Sequence, residues 1–458
     1  MFHLDAKKQI IHDSNALQAG WQLQLHIPGE DILVRIKTLV LTLFSAVLAI
    51  SMIVPTRSAA QTEQVLHSFT TDNGKDGFQP FGGLILDKAG NLYGTTPYGG
   101  DYGAGTVFEL MLASHGWSEM VLHSFNSRGG DGWQPSASLI FDASGNLYGT
   151  TYYGGAGESL RGYGGTGTVF KLVPQVDGSW SESIVHSFLR SGNDGAYPLS
   201  SLVIDRAGNL YGTTEGGGAN KRGTVFELTP QSGRQWSYKV LHNFGSNDTD
   251  GVEPTAGLAI DAAGNLYGTT ILGGTGNCDS ESGSCGTVFE VSRKPGGGWE
   301  ETLLHSFDSD GTDGIIPVGG VTLASGHLYG STNSGGAYSS GTVFELSPAT
   351  GGSWTETVIH SFNSGNGDGY YPEYLTLVFD AAGNIYGTTT EGGVYGNGIV
   401  FELSSGAWQE TVLHSFYDNG VDGWDPVAGV TLDSSGDVYG TTQYGGTNSH
   451  GTVFEITP

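Results

Sequence analysis

The chain has 458 residues, 77 of them Gly, and only 14% of its side chains are charged. Eighteen Lys and Arg stand against 46 Asp and Glu, a formal net charge of −28 at pH 7. A surface this acidic repels phosphate backbones and anionic lipid headgroups, so nucleic acid and membrane surfaces are excluded as expected partners, while neutral glycans and cations such as Ca2+ stay compatible. Gly this abundant without a collagen-like period fits tight turns between short strands, and 11% aromatic residues supply a large core. No uninterrupted helical period follows residue 61, which predicts an all-β chain.

The N-terminus reads as an export signal with a prefix. Arg35 and Lys37 precede an apolar run of 17 residues from Thr38 to Val54, and Ser58-Ala59-Ala60 offers small residues for cleavage before Gln61. That run is shorter than the about 20 residues a membrane-spanning helix needs, so the expectation is a cleaved signal at 34–60 and no membrane insertion afterwards. Residues 1–33 resemble neither a signal nor a domain and are expected to be a non-native or mis-assigned extension. Residues 61–458 form the domain.

From there one unit recurs seven times. Asp-Gly-x-x-Pro opens each copy, with aspartates at Asp76, Asp131, Asp194, Asp250, Asp313, Asp368 and Asp422. Gly-Leu-Ile-x-Asp follows, as at Gly83 to Asp87, then Ala-Gly-Asn and Leu-Tyr-Gly-Thr-Thr. Gly and Asn accept the backbone that tight hairpins demand, so the two apolar stretches are paired strands. A Gly-Gly loop, Gly-Thr-Val-Phe-Glu-Leu and Trp-x-Glu-x-Val-Leu-His-Ser-Phe supply two more strands. The histidines of that last segment are spaced by 56, 63, 56, 63, 55 and 54 residues, and both long units insert between Tyr-Gly-Thr-Thr and Gly-Thr-Val-Phe. Four antiparallel strands repeated seven times predict a seven-bladed β-propeller. Val65 to Phe69 is a fourth strand without its blade, and Thr452 to Ile456 is a third strand without a fourth. Pairing the two closes the ring.

These motifs resemble the GloVer tandem-repeat family of exported choice-of-anchor proteins, whose units read Leu-x-Asp-x-x-Gly-Asn-Leu-Tyr-Gly-Thr-Thr, Gly-Thr-Val-Phe-Glu-Leu and Val-Leu-His-Ser-Phe. The resemblance covers residues 65–458. Departures are Lys171 for Glu, His327 and Asp437 for Asn, Ser331 for Thr and Ile399 for Thr. It implies a secreted, periplasmic or cell-surface location and no established enzymatic activity. The first three strands are also similar to NHL-type propeller repeats, which implies that Gly-Leu-Ile-x-Asp is innermost.

In such a meander the Asp-Gly-x-x-Pro loops, the Gly-Gly loops and both insertions share one face, where a ligand is expected. Phe78, Trp133, Tyr197, Tyr370, Tyr371 and Trp424 lie inside the first loops, and Tyr98, Tyr153 and Tyr444 in their neighbours; Val252 and Ile315 break the set. Aromatic rings beside polar groups suit sugars, although the same rings could plug the blade tops. The seven repeated histidines, spread around a ring, cannot converge on one ion and are read as hydrogen-bonded packing elements, with the Asp-Gly aspartates capping their own turns. Asp308, Asp310 and Asp313 have the spacing of a Ca2+ loop, without the bidentate Glu of an EF-hand. Cys278 and Cys285 are expected to form a disulfide stapling a local loop.

A single active site should appear where the sevenfold pattern breaks: Glu158, Arg161 and Tyr163, Asp279 and Glu281, or Glu215 and Glu391. No nucleophile elbow, zinc signature or phosphate loop is present. The sequence therefore favours a monomeric exported binding or scaffold propeller for a polysaccharide or cell-surface ligand, without catalysis. A carbohydrate-active lyase or hydrolase and a purely structural surface protein are the alternatives.

Overall fold

The computed structural model describes residues 26–27, 30–31 and 62–458, apart from 72–74, 115, 129, 157–163, 190 and 279–284. The chain divides into two units, Met1–Ala60 and Gln61–Pro458. In the first, His26–Ile27 pairs antiparallel with Glu30–Asp31, and the proposed signal at 34–60 lies outside the described residues.

The second unit is a seven-bladed propeller of four-stranded antiparallel sheets. In the first blade Ile85–Leu86 is innermost, followed by Leu92–Thr96, Thr106–Ala113 and, outermost, Gly116–Ser124. In the seventh, Thr431–Leu432, Val438–Thr442 and Thr452–Thr457 come from the C-terminus, and the outer strand is Thr62–Ser68. Its register pairs Thr62 with Thr457 and Ser68 with Thr452, so the ends of the domain close the ring as the phase of the repeat predicts.

Local chemistry explains each blade. Asp87 turns the inner hairpin: its carboxylate accepts the Ala89 and Asn91 amides at 2.8 and 2.9 Å and the Asn91 side chain at 2.9 Å. Gly94 leaves room for the ring of Phe108, since a Cβ there would lie 2.6 Å from Cζ. The Phe of each His-Ser-Phe is fully buried against the Val-Phe ring of the next blade, and Phe69 meets Phe108 edge-on at 5.2 Å across the closure. The next interface repeats it, with Phe125 and Phe170 at 5.0 Å.

Polar latches tie neighbours together. The first Thr of the Thr-Thr pair in six blades donates its hydroxyl to a carbonyl of the following blade, as Thr95 does to Ala137 at 3.0 Å and Thr441 does to Gly82 at 3.3 Å. The residue before each Pro takes a left-handed backbone, from Gln79 (φ 57°) to Asp425 (φ 63°). Its amide donates to the preceding blade: Gln79 to the His450 carbonyl at 2.8 Å, Gln134 to the Ala104 carbonyl at 2.9 Å. Cys278 and Cys285 form the disulfide, Cα atoms 5.6 Å apart. It is more than a loop staple, because both residues are buried in a core cluster with Val288, Phe307 and Phe344.

Candidate functional site

On the loop face, each Asp-Gly segment pairs with the Gly-Gly segment of its own blade in a two-residue ribbon. The residue after Asp-Gly therefore stands opposite the one before the first paired Gly: Phe78 and Tyr98, Trp133 and Tyr153, Trp424 and Tyr444, Tyr370 and Glu391. The three aromatic pairs stack, with centroids 5.4, 4.8 and 4.5 Å apart. Phe78, Trp133 and Trp424 also pack on core clusters, so in blades one, two and seven these rings cover the blade tops as well.

Tyr197 departs from that scheme. Ala196 takes the ribbon position opposite Gly216, and Tyr197 occupies the left-handed position before Pro198, φ 62°. Its ring is thereby placed against the second blade, stacked on Tyr152 at 5.3 Å and edge-on to Tyr153 at 5.8 Å. Tyr152 lies 4.7 Å from Tyr153, which stacks on Trp133. Four rings thus form one ledge. At its end the Tyr152 hydroxyl donates to Glu215 Oε2 at 2.7 Å. Burial, then the Glu215 charge, pushes the Tyr152 phenol upward, so it stays a donor.

The site residues missed by the sequence reading follow a rule. Three positions on the loop face differ from blade to blade, while the strands beneath barely change. The residue after Tyr-Gly-Thr-Thr is Pro97, Tyr152, Glu215, Ile271, Asn333, Thr390 and Gln443 in turn. The residue before Pro runs from Gln79 through Tyr197 and Glu253 to Asp425, and the residue after it includes Phe81 and Glu373. Comparing the repeats position by position was a signal able to find Tyr152 and Glu373.

The channel itself is a cavity of about 250 Å³ lined by the innermost strands, including Gly83, Ser138, Gly320 and Gly429. Phe81 and Tyr374, which also line it, pack against each other with centroids 5.0 Å apart. Tyr374 has a left-handed backbone, φ 41°, and the buried Ser331 Oγ, whose counterparts in the other blades reach the next blade's carbonyl, has no hydrogen-bond partner among the described residues. The latch is missing where the backbone is strained, a combination typical of functional positions.

Acidic groups gather beside this plug. Glu373 Oε1 accepts from Asn333 Nδ2 at 2.9 Å, yet burial first, then Asp425 and Glu391, push its carboxyl above the ordinary range. Asp425 is pushed up to about 6, by burial and then by the Glu391 charge. Burial, Glu373 and Glu215 raise the Tyr374 phenol, so the ledge and the acidic group act on the same ring. Such carboxyls can accept sugar hydroxyls, or hold and release a proton near neutral pH.

The other sequence candidates fall elsewhere. Asp310 Oδ1 accepts the Thr312 and Asp313 amides at 2.7 and 2.9 Å, and Asp313 Oδ2 accepts the Asp308 amide at 2.9 Å and faces His305 Nε2 at 3.2 Å. The Asp310 and Asp313 carboxylates thus serve their own turn and the outer strand, and Asp308 joins them through its backbone amide. Glu158, Arg161, Tyr163, Asp279 and Glu281 lie outside the described residues. The repeated histidines do face the Asp-Gly aspartates, with Nε2 to carboxylate distances from 2.9 Å at His414–Asp422 to 3.8 Å at His360–Asp368.

Fold and loop face together define a propeller with a blade-variable rim. A family model described as the Gloeobacter/Verrucomicrobia repeat matches residues 50–280 and 277–458, and the chain belongs to that family. No curated protein matches it. Among solved structures it is similar to a luciferin-regenerating enzyme (14% identity, 70% of this chain and 90% of that one, TM-score 0.40). It is likewise similar to a putative 6-phosphogluconolactonase from Bacteroides uniformis (13%, 73% and 84%, TM-score 0.45). A gluconolactonase from Xanthomonas campestris gives 13% identity, 87% and 89% coverage and a TM-score of 0.39. Likeness this distant says nothing about activity. Among the described residues no helix is long and apolar enough to cross a membrane.

Proposed function

We propose that the protein is an exported, non-catalytic binding propeller whose loop face holds carbohydrate, with sugar rings seated on Trp133, Tyr153, Tyr152 and Tyr197. The observation that carries this reading is the continuity of that ledge, four rings joined by contacts of 4.7 to 5.8 Å and ending on a carboxylate. Stacked rings offer apolar faces to sugar C–H patches, while Glu215 and the neighbouring carboxyls accept hydroxyls. The net charge of −28 favours neutral over anionic polysaccharides. Export is supported by the basic pair, apolar run and small residues before Gln61, and by a disulfide of the kind that persists in oxidising compartments.

A carbohydrate-active enzyme is the second reading, and one observation favours it. Glu373 and Asp425 are raised carboxyls set beside Glu391, the kind of group that serves general acid and base chemistry on a glycosidic bond. Exposure of the mature chain to a glycan array and to soluble polysaccharides separates the two. Retention without new reducing or unsaturated ends supports binding; released products support the enzyme. No retention and no products on any glycan refutes both and leaves a structural surface component.

A further inference from the structure

One ring of seven repeated histidines cannot surround a single ion. The fold supplies a third group that the sequence order hides. Glu on the outer strand of one blade lies over the His–Asp pair of the blade before it. In three interfaces, His242–Asp250–Glu301, His360–Asp368–Glu410 and His414–Asp422–Glu63, one donor atom from each side chain falls within 4.8 Å of the others.

These three sets are not equivalent. His414 and His242 stand 2.9 and 3.3 Å from their aspartates, as hydrogen-bonded pairs do. His360 Nε2 is 3.8 Å from Asp368 Oδ2, too far for that bond. Donors on a tetrahedral zinc ion, about 2.0 Å from it, lie about 3.3 Å from one another, a spacing that all three sets approach, so what singles out His360 is the missing hydrogen bond. Among the described residues neither His360 Nε2 nor Glu410 Oε1, both closed off from solvent, has a hydrogen-bond partner. The third donor is fixed in place: Asp368 Oδ2 accepts the Asn363 amide at 2.8 Å, and Oδ1 accepts the Gly369 amide at 2.6 Å. The His360 ring is held edge-on to Phe362 at 4.7 Å. Two carboxyl groups and one imidazole, partly desolvated, form a borderline nitrogen and oxygen donor set of a kind that suits a dication.

We propose that the interface between the fifth and sixth blades binds a divalent first-row transition ion of the zinc class through His360 Nε2, Asp368 and Glu410, with water completing the shell. The ion would staple two blades together through their outer strands, away from the loop-face ledge, and the proposal does not depend on the glycan reading.

Untagged mature chain, stripped with a chelator and held in excess Mg2+ to occupy surface carboxylates, is titrated with Zn2+ alone by calorimetry. A parallel titration with Co2+ follows its visible absorption. One Zn2+ per chain and an intense tetrahedral cobalt band are expected. Glu410→Gln and His360→Ala should each weaken Zn2+ on the order of 100-fold, the upper end of what even outer-shell changes cost. Glu63→Gln, the matching change one interface on, should leave the affinity unaltered. Absence of zinc heat and of a cobalt band in the unmutated chain overturns the proposal. So does an affinity unchanged in Glu410→Gln, or lost equally in Glu63→Gln. Should a variant fail to fold, the cobalt spectrum of the unmutated chain decides by itself.

Discussion

Phe69→Ala tests ring closure with a single side chain. Phe69 follows the N-terminal outer strand, is fully buried, and meets Phe108 edge-on at 5.2 Å and His67 at 4.7 Å. Burial of such a ring contributes roughly 1.5–3 kcal/mol, and an aromatic pair adds about 0.5–1.5 kcal/mol. With the cavity left behind, truncation should cost about 3–5 kcal/mol. Phe125 provides an internal standard, because it is equally buried and packs on Phe170 at 5.0 Å, but sits where the chain runs on without a break. Urea unfolding of Phe69→Ala and Phe125→Ala should therefore give losses that agree to within about 2 kcal/mol, the usual spread between like sites. A loss near zero for Phe69→Ala beside a full loss for Phe125→Ala would show that residues 62–69 do not complete the seventh blade.

Four further outcomes are expected. Gly94→Ala sets a methyl 2.6 Å from the Phe108 ring and should cost about 1–3 kcal/mol by thermal or urea unfolding. Cys278→Ser with Cys285→Ser opens a covalent loop of eight residues; chain entropy predicts a loss of about 2.5 kcal/mol, read as a lower unfolding midpoint in urea. Asp425 has its folded value raised to about 6 against an ordinary 3.8, so its contribution is complete below the ordinary value and is lost as pH rises through about 6. Asp425→Asn should accordingly flatten the melting temperature profile between those two values, and an unchanged slope would contradict the placement of that carboxyl. Tyr152→Phe removes the 2.7 Å bond to Glu215 and should weaken glycan retention several-fold in affinity electrophoresis, with little change in melting temperature.

Much of the architecture was legible because it is local and repeated. Gly-Asn between two apolar stretches specifies a hairpin wherever it occurs, and the orphan strand at Val65 to Ser68 implies a partner at the opposite terminus. What escaped the sequence reading is contact between groups distant along the chain. The ribbon that joins Gly77 to Gly99 depends on the hairpin between them folding back, and nothing in composition marks its register. Tyr197 was grouped with Trp133, but one residue of offset moves it from a stacked ribbon pair to the left-handed position, where it meets the neighbouring blade. The reading of His and Asp as packing and capping groups captured half of their role: Asp76 caps the Thr70 amide at 3.0 Å and also faces His67 at 3.2 Å. The Glu that completes each set comes from the next blade, as Glu410 does for His360, and in the closing interface Glu63 reaches His414 from the opposite end of the domain.

The seat of the sugar is the claim most in need of direct measurement. Saturation-transfer NMR, irradiating the aromatic protons of the protein in the presence of neutral oligosaccharides, reports which ligand protons lie against rings. The ledge predicts transfer to sugar C–H protons in the unmutated chain and its loss in Trp133→Ala with Tyr197→Ala, provided that double variant keeps a cooperative unfolding transition. Transfer of equal strength in the folded double variant, or none to any oligosaccharide in the unmutated chain, would contradict it.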